Sequence, residues 1–380
     1  MEIYLDNAAT TKPCEAAVNA ACDCMRSNYG NPSSLHSKGL SAQLIVDDAR
    51  KTIAKEVACD PTGVYFTSGA TESNNLAVIG AAEAYGKRKP KIITSSIEHA
   101  SVSAAMDCLE KRGFEIVRIN PDPNGEFHHE DFVNAVDDRT CLMSIMAVNN
   151  ETGYIMPVRR AFYGAKKKNP DIITHCDAVQ AFMKKPVKMT ELCTDLMSLS
   201  GHKIHGGKGV GALCVKKGVR LIPRMYGGKQ ERGMRSGTEN VPMIASFGAA
   251  VKYLRGTMDK RWEQVSELKQ FLLERLKFVD GVTINSKSSA SPYIINISAE
   301  GIRSEIMLHF LEQKNIYVSS GSACSKGVQS GVLSQFGISE SLADSAIRVS
   351  LCADNVMYDL KEFALALAEG KERLYGTRRL

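Results

Sequence analysis

No CxxC pair occurs among the eleven cysteines of this chain, whose number is odd and whose positions are scattered. Neither a disulfide framework nor a structural zinc site is therefore signalled. The pairs His202/His205 and His128/His129 are not supported by a cluster of cysteines and carboxylates at metal-ligand spacing, so no metal is expected. Apolar runs are short: even the stretch from Ile244 to Val251 falls far below the roughly 20 residues that a membrane helix needs. The first residues, Met1-Glu2-Ile3-Tyr4-Leu5-Asp6, lack the basic and apolar regions of a signal peptide, so a cytoplasmic location is expected. Internal repeats and low-complexity segments are absent, as is a strong excess of one charge, the net being +6. Part of that charge lies in Lys371, Arg373, Arg378 and Arg379, which reads as a solvated tail, so neither a membrane nor a direct nucleic-acid partner is expected.

What is present is an ordinary globular composition, 44% hydrophobic and 24% charged, in a chain of 380 residues. That length is too great for one small core, so two domains are expected. Short β-rich runs at 64–66, 91–95, 114–119, 141–148, 171–176, 196–200 and 211–215 are mostly separated by helical patterns or loops. Alternation of this kind predicts an α/β sheet, largely parallel, with ligands at the strand ends. After about Val251 the character changes to a long helical pattern over 260–278, strands at 282–284, 293–298, 316–318 and 347–350, and helices at 304–313 and 355–373. This part reads as a smaller α+β domain.

Polar candidates fall at the predicted strand ends. Residues 198–203, Ser-Leu-Ser-Gly-His-Lys, break an apolar strand at Gly201 and end on Lys203. Burying an ammonium is costly, so a lysine there asks for a chemical reason, and an imine with an aldehyde cofactor, pyridoxal phosphate (PLP), is one. The strand at 64–66 runs into Thr67-Ser68-Gly69-Ala70-Thr71-Glu72-Ser73-Asn74-Asn75 and a helix, an arrangement that offers backbone N–H groups to a phosphate. Asp177, ending another strand, has the chemistry to pair with a protonated pyridine nitrogen; a helix N-cap is the plainer alternative. His99, after the 91–95 strand, is suited to stacking or proton transfer, or is simply a loop residue. The glycine-rich loop over 227–240 carries Arg232, Arg235 and Thr238, which makes anion binding credible. Cys59, Cys108, Cys141 and Cys214 sit in apolar surroundings and are expected to be buried. Cys324 differs: it lies in Ser319-Ser320-Gly321-Ser322-Ala323-Cys324-Ser325-Lys326-Gly327, where a thiol is accessible and able to ionise, although an unreactive loop thiol is the alternative.

With these motifs assembled, the chain resembles the cysteine desulfurases of the NifS and IscS type, PLP enzymes of aminotransferase fold type I. The resemblance covers nearly the whole length: Tyr4 to Thr11, Gly30 to His36, Thr67 to Asn75, Glu98-His99, Asn149-Asn150-Glu151, Asp177 to Gln180, Ser200 to Lys203, Arg235 to Asn240 and Ser319 to Cys324. It implies a large PLP-binding domain over 13–255 and a small domain made of 1–12 and 256–380. It also implies that Lys203 is the Schiff-base lysine, Asp177 the partner of the pyridinium nitrogen, Gln180 the contact to the phenolic oxygen and His99 the residue stacked on the ring. Ala70, Thr71, Ser200 and His202 resemble the phosphate-binding positions. Thr238 resembles a residue that reaches the cofactor of the opposite subunit, which implies a homodimer. Asn150 and Arg348 resemble the residues that hold the substrate carboxylate, and Cys324 the cysteine that becomes a persulfide. The implied reaction takes sulfur from L-cysteine, leaves L-alanine, and passes the sulfur to acceptor proteins such as iron–sulfur scaffolds or tRNA- and cofactor-thiolation enzymes. A selenocysteine lyase, another class V aminotransferase activity and a non-catalytic sulfur-relay protein stay open as alternatives. The sequence departs from the family pattern at Met183 and Cys352, where glycine is common, and at Gly207, where proline is common.

Overall fold

The structure is a computed structural model that describes residues 2–321 and 331–376. Its thirteen described strands are β1 Ile3–Tyr4, β2 Val64–Thr67, β3 Lys91–Ser95, β4 Glu115–Ile119, β5 Thr140–Met146, β6 Ile173–Asp177, β7 Leu196–Ser200, β8 Gly211–Val215, β9 Val282–Ile284, β10 Ile294–Ala299, β11 Ile316–Tyr317, β12 Ser319–Ser320 and β13 Ala346–Ser350. Four helices matter below: α1 Glu15–Arg26, α2 Ser37–Val57, α3 Ala70–Tyr85 and α4 Ala100–Glu110.

A seven-stranded sheet runs in the order β2-β8-β7-β6-β5-β3-β4. β8 is antiparallel to both neighbours, and the other pairs are parallel. The predominantly parallel sheet expected from the alternation is therefore present, with one reversed strand. β5 to β8 are buried at every position, because helices cover both faces. Full coverage is why these strands read as continuous apolar runs rather than alternating ones. α3 and α4 pack through Leu76, Val102 and Met106 on Leu142, Leu196 and Leu213. On the other side, Ala49 and Ile53 of α2 join Met143, Met197 and Phe247. Polar side chains inside this sheet pair with one another: His175 lies between Ser144 at 2.8 Å and Ser198 at 3.0 Å. Burial drives its pKa down to about 3, so the ring is a neutral link between three strands.

The second unit is a four-stranded antiparallel sheet, β12-β13-β10-β9, whose strands all lie between residues 282 and 350. β1 pairs with β11 in parallel. The chain after β1 then runs back toward the large sheet. Asn7 donates to the Ser350 carbonyl (3.0 Å), the Ala8 N–H donates to Ser350 Oγ (2.8 Å), and Thr11 Oγ1 donates to the His202 carbonyl (2.9 Å). This N-terminal segment is thus the strap between the two sheets at the end of β7.

Two expectations change. Cys141 and Cys214 are buried, but Cys59 and Cys108 are only partly so, because they sit at element ends. Lys371 and Arg373 are not in a free tail: both lie in the helix Met357–Gly376, where Lys371 donates to the Gly281 carbonyl (3.0 Å) and Arg373 pairs with Glu369 (2.9 Å).

The 227–240 loop is fixed from within. Glu231, 5% exposed, receives two hydrogen bonds from Arg50 of α2 (2.8 and 2.9 Å) and one from the Phe66 N–H (3.0 Å). Removing one member of a buried ion pair strands the other charge in a low dielectric. Glu231→Ala is therefore expected to cost about 3–5 kcal/mol of unfolding free energy, read from denaturant titration.

Candidate active site

At the carboxyl ends of β5, β6 and β7 lies a cavity of about 690 Å³. Its lining includes Ala70, Thr71, His99, Asn150, Asp177, Gln180, His202, Lys203 and Arg348. Nine of the residues singled out from the sequence thus meet at one place. Thr238 does not: it is exposed and borders a separate cleft with Glu231 and Arg235. Ser200 is buried at the end of β7, behind the lining. Cys324 lies outside the described residues.

Lys203 follows β7 in a short 3-10 turn, and its Nζ donates to the carbonyls of Ala8 and Ala9, each at 2.6 Å. Burial, then Arg348, pushes its pKa down to about 8, against the pull of Asp6 and Asp177. The amine therefore loses its proton more readily than a free lysine, although the ammonium still predominates at pH 7.

Asp177, 5% exposed, is the last residue of β6. One carboxylate oxygen accepts from Asn74 Nδ2 (2.8 Å) and the other from the Val179 N–H (3.1 Å). It is not an α-helix N-cap, since a turn follows it. Asn74, a turn into α3, also donates to Ser101 Oγ (2.8 Å). Ser101 in turn faces His99: its N–H donates to Nδ1 (3.1 Å) and its hydroxyl lies 2.8 Å from the same nitrogen. A neutral imidazole whose Nδ1 accepts carries its proton on Nε2. His99 is thereby the N-cap of α4 rather than a free loop residue. The chain Asp177–Asn74–Ser101–His99 ties two sequence candidates together through two residues whose polar roles were not legible in sequence.

At the other side, α3 begins at Ala70 behind an N-cap, Gly69, that supplies no side chain. The first-turn N–H groups of a helix have no intrahelical partner. β8 comes close here: a Cβ on Gly211 would lie 2.7 Å from the Gly69 carbonyl carbon, so only glycine fits. Ser200 Oγ is buried without a hydrogen-bond partner. Next to it, burial and then Lys203 push the His202 ring down to about 4, so it is neutral.

Arg348 on β13 donates to the Asn150 carbonyl (3.1 Å) and to Asp6 Oδ1 (3.0 Å), while its Nε is buried without a partner. Arg232 and Arg235, read from sequence as anion candidates, are already engaged. Arg232 donates to the Val64 carbonyl (2.8 Å) and lies over Tyr65, and Arg235 donates to Glu72 (3.0 Å).

The Aminotransferase class-V model matches residues 3–363. The chain is 38% identical over 372 residues to a NifS/IcsS protein homolog of Lactobacillus delbrueckii subsp. bulgaricus, covering 97% of this chain and 96% of that protein. It is 40% identical over 359 residues to the cysteine desulfurase IscS of Escherichia coli, covering 92% and 88%. The chain belongs to the class-V aminotransferase family. Among solved structures, a NifS-like protein superposes with a TM-score of 0.92 at 36% identity, covering 99% of this chain and 100% of that one. The structure titled SspA in complex with cysteine superposes at 0.82 with 32% identity, covering 94% and 100%.

Class-V aminotransferases of the IscS and NifS type depend on PLP. The cavity's chemistry fits that cofactor. An amine of lowered pKa, a buried carboxylate with fixed orientation, an orphaned hydroxyl beside a helix N-terminus and a cavity of about 690 Å³ that His99 lines are features that suit an anionic pyridine aldehyde.

The departures from the family pattern have local explanations. Met183 has a φ of +56°, a conformation that favours glycine and so accounts for the glycine common at this position; its own side chain is buried. The Gly207 N–H donates to Ser246 Oγ (3.0 Å), a bond that proline would lack. Cys352 meets His205 and Asp354, with potential ligand atoms all within 4.8 Å, a grouping across distant chain segments that sequence inspection did not find. Arg261 and Lys184 direct positive charge at His205, and Arg261 lies 3.9 Å from Asp354, so a further cation would meet repulsion there.

Glu98, beside His99, was not assigned a role from sequence. Its Oε1 accepts from Ser95 and the Met146 N–H, while Oε2 has no partner. Burial, reinforced by Asp177, raises its pKa from 4.5 to about 8. A raised folded-state pKa gives stability that is present below the unfolded value and lost as pH rises through the folded one. Stability is thus expected to fall between pH 4.5 and about 8 on account of this group. Glu98→Gln should flatten that fall when denaturation midpoints are compared across the window.

Proposed function

We infer that the protein is a cysteine desulfurase, taking sulfur from L-cysteine, releasing L-alanine and holding the sulfur as a persulfide on Cys324. The observation that carries this reading is the convergence of Lys203, Asp177, Gln180, His99 and Arg348 on one cavity. Lys203 would hold PLP covalently. Asp177 would face its ring nitrogen, Gln180 its phenolic oxygen and His99 its ring face. Ala70, Thr71, Ser200 and His202 would hold its phosphate. Bound there, PLP supplies an electron sink for the bonds at the substrate α- and β-carbons.

The chain's own groups do the rest. The substrate carboxylate is oriented by Arg348, whose guanidinium is held in place by the Asn150 carbonyl and Asp6, with Asn150 beside it. Lys203, released as an amine and held near Ala8 and Ala9, takes up the α-proton at Nζ, its lowered pKa keeping the neutral form accessible. His99, with its proton on Nε2, is the second proton carrier. The Cys324 thiolate forms a bond to the substrate sulfur as the sulfur–carbon bond breaks. The electron pair of that bond stays with carbon, which takes up a proton and leaves as part of alanine.

The same reading makes the protein a homodimer. Met25, Tyr29, Leu35, Leu40 and Leu44, on or between α1 and α2, are exposed apolar side chains, and Thr238 stands away from its own chain's cavity, as a residue serving a partner's cofactor would. We divide the chain into a PLP-binding domain over 13–255 and a small domain of 1–12 with 256–380, in line with strands confined to 64–215 in one sheet and 282–350 in the other. No described helix is long and apolar enough to cross a membrane. A cytoplasmic enzyme handing sulfur to an iron–sulfur scaffold or a thiolation enzyme is the proposed setting.

The test is to load the protein with PLP and add L-cysteine with and without dithiothreitol. Alanine formed in step with sulfide, with the additional sulfur mapped to Cys324, is expected; pyruvate and ammonia in place of alanine would overturn the reading. Cys324→Ala should abolish persulfide and sulfide release. Lys203→Ala should lower turnover by more than about 10²-fold. Arg348→Lys, which loses the paired donors, should raise KM roughly ten- to a hundredfold, the value of one charge-assisted hydrogen bond.

A further inference from the structure

Lys184 follows Gln180 by four residues and is 8% exposed. No ion pair reaches it among the described residues. The groups that face its amine include Lys203, Arg348, His205, the Cys352 thiol and the ring of Tyr293, whose centroid is 5.4 Å from Nζ. Burial first, then Lys203 and Arg348, push its pKa down to about 7. An amine placed there without a counter-ion costs stability, and an apolar side chain of similar volume would fill the space at less cost. Packing alone therefore does not account for it.

Its hydrogen bond does. Nζ donates to Gln180 Oε1 at 2.9 Å, while Gln180 Nε2 donates to the Ala8 carbonyl at 2.9 Å. The two ends of a glutamine amide are told apart only by their partners. Here the partners are unambiguous, since a carbonyl oxygen only accepts and must face Nε2. Ala8, however, also takes the Lys203 amine at 2.6 Å, so its hold on Gln180 is shared. Lys184 supplies the unshared half. The second Nε2–H is left for the cavity that Gln180 lines.

We propose that Lys184 is a positioning residue that fixes the sense of the Gln180 amide, so that an N–H, and not the carbonyl, meets the phenolic oxygen of the cofactor. The inference rests on the reading of Gln180 given above. An amide turned the other way would set an acceptor against an oxygen that carries negative charge and would raise that oxygen's affinity for a proton.

The test is the pH titration of visible absorption in the PLP-loaded protein. Lys184→Met keeps the volume and removes the donor, and should move the midpoint up by about half a unit to one unit. Removing a nearby positive charge would act in the same direction, so the variant is also made in a Gln180→Leu background. Gln180→Leu alone should shift the midpoint upward, and Lys184→Met should then add nothing further. Thermal melts of apo and loaded forms check folding, and Lys184→Met is expected to melt no lower than the parent. An undiminished additional shift in the Gln180→Leu background would overturn the proposal, because Lys184 would then act by charge alone. No shift from Lys184→Met while Gln180→Leu shifts the midpoint would overturn it and leave the Gln180 reading intact. No shift from Gln180→Leu in a protein that binds PLP would overturn both.

Discussion

The structure turns on the burial of one amine. Lys203 stands at the end of β7, in an interior where an ammonium is poorly solvated, and its proton-bearing nitrogen is met by the carbonyls of Ala8 and Ala9. Those carbonyls are there because residues 6–11 are strapped to both sheets, through Ser350 on one side and the His202 backbone on the other. The N-terminal segment is therefore part of the site, and the lysine's lowered pKa follows from how the segment and Arg348 close over it.

Around that amine the polar groups are held by partners that leave little freedom. Asp177 receives two donors, one of which reaches on through Asn74 and Ser101 to set the tautomer of His99. Gln180 is pinned between a lysine amine and a backbone carbonyl. Buried polar groups are costly when unpaired, so a site this dry must either satisfy each one or present it to a ligand. Most are satisfied. Ser200 Oγ, Asn74 Oδ1, Glu98 Oε2 and Arg348 Nε are not.

A buried arginine–glutamate pair does comparable work in the 227–240 loop. Glu231, reached by Arg50 and the Phe66 N–H, anchors the loop to the edge strand β2, which leaves Thr238 outside its own chain's cavity. The loop's arginines join this bracing, Arg232 through the Val64 carbonyl and Arg235 through Glu72.

Much of the fold was legible because its strands are short and largely apolar: 91–95, 196–200, 211–215 and 282–284 were bounded correctly from composition alone. Element ends that depend on caps were less legible, as with α3, which starts at Ala70 rather than near Leu76. The sequence by itself determined the chemical kinds present at the strand ends, a lysine, an aspartate, a histidine and a glutamine, because parallel strands of an α/β sheet end on one side and motif spacing records which residues end them. Only the tertiary structure decided their states. The pKa of Lys203, the tautomer of His99, the raised pKa of Glu98 and the clamp of Lys184 on Gln180 depend on groups brought from Ala8, Asn74, Ser101, Asp177 and Arg348. Burial and the direction of a hydrogen bond are properties of assembled surfaces, and no local stretch of chain encodes them.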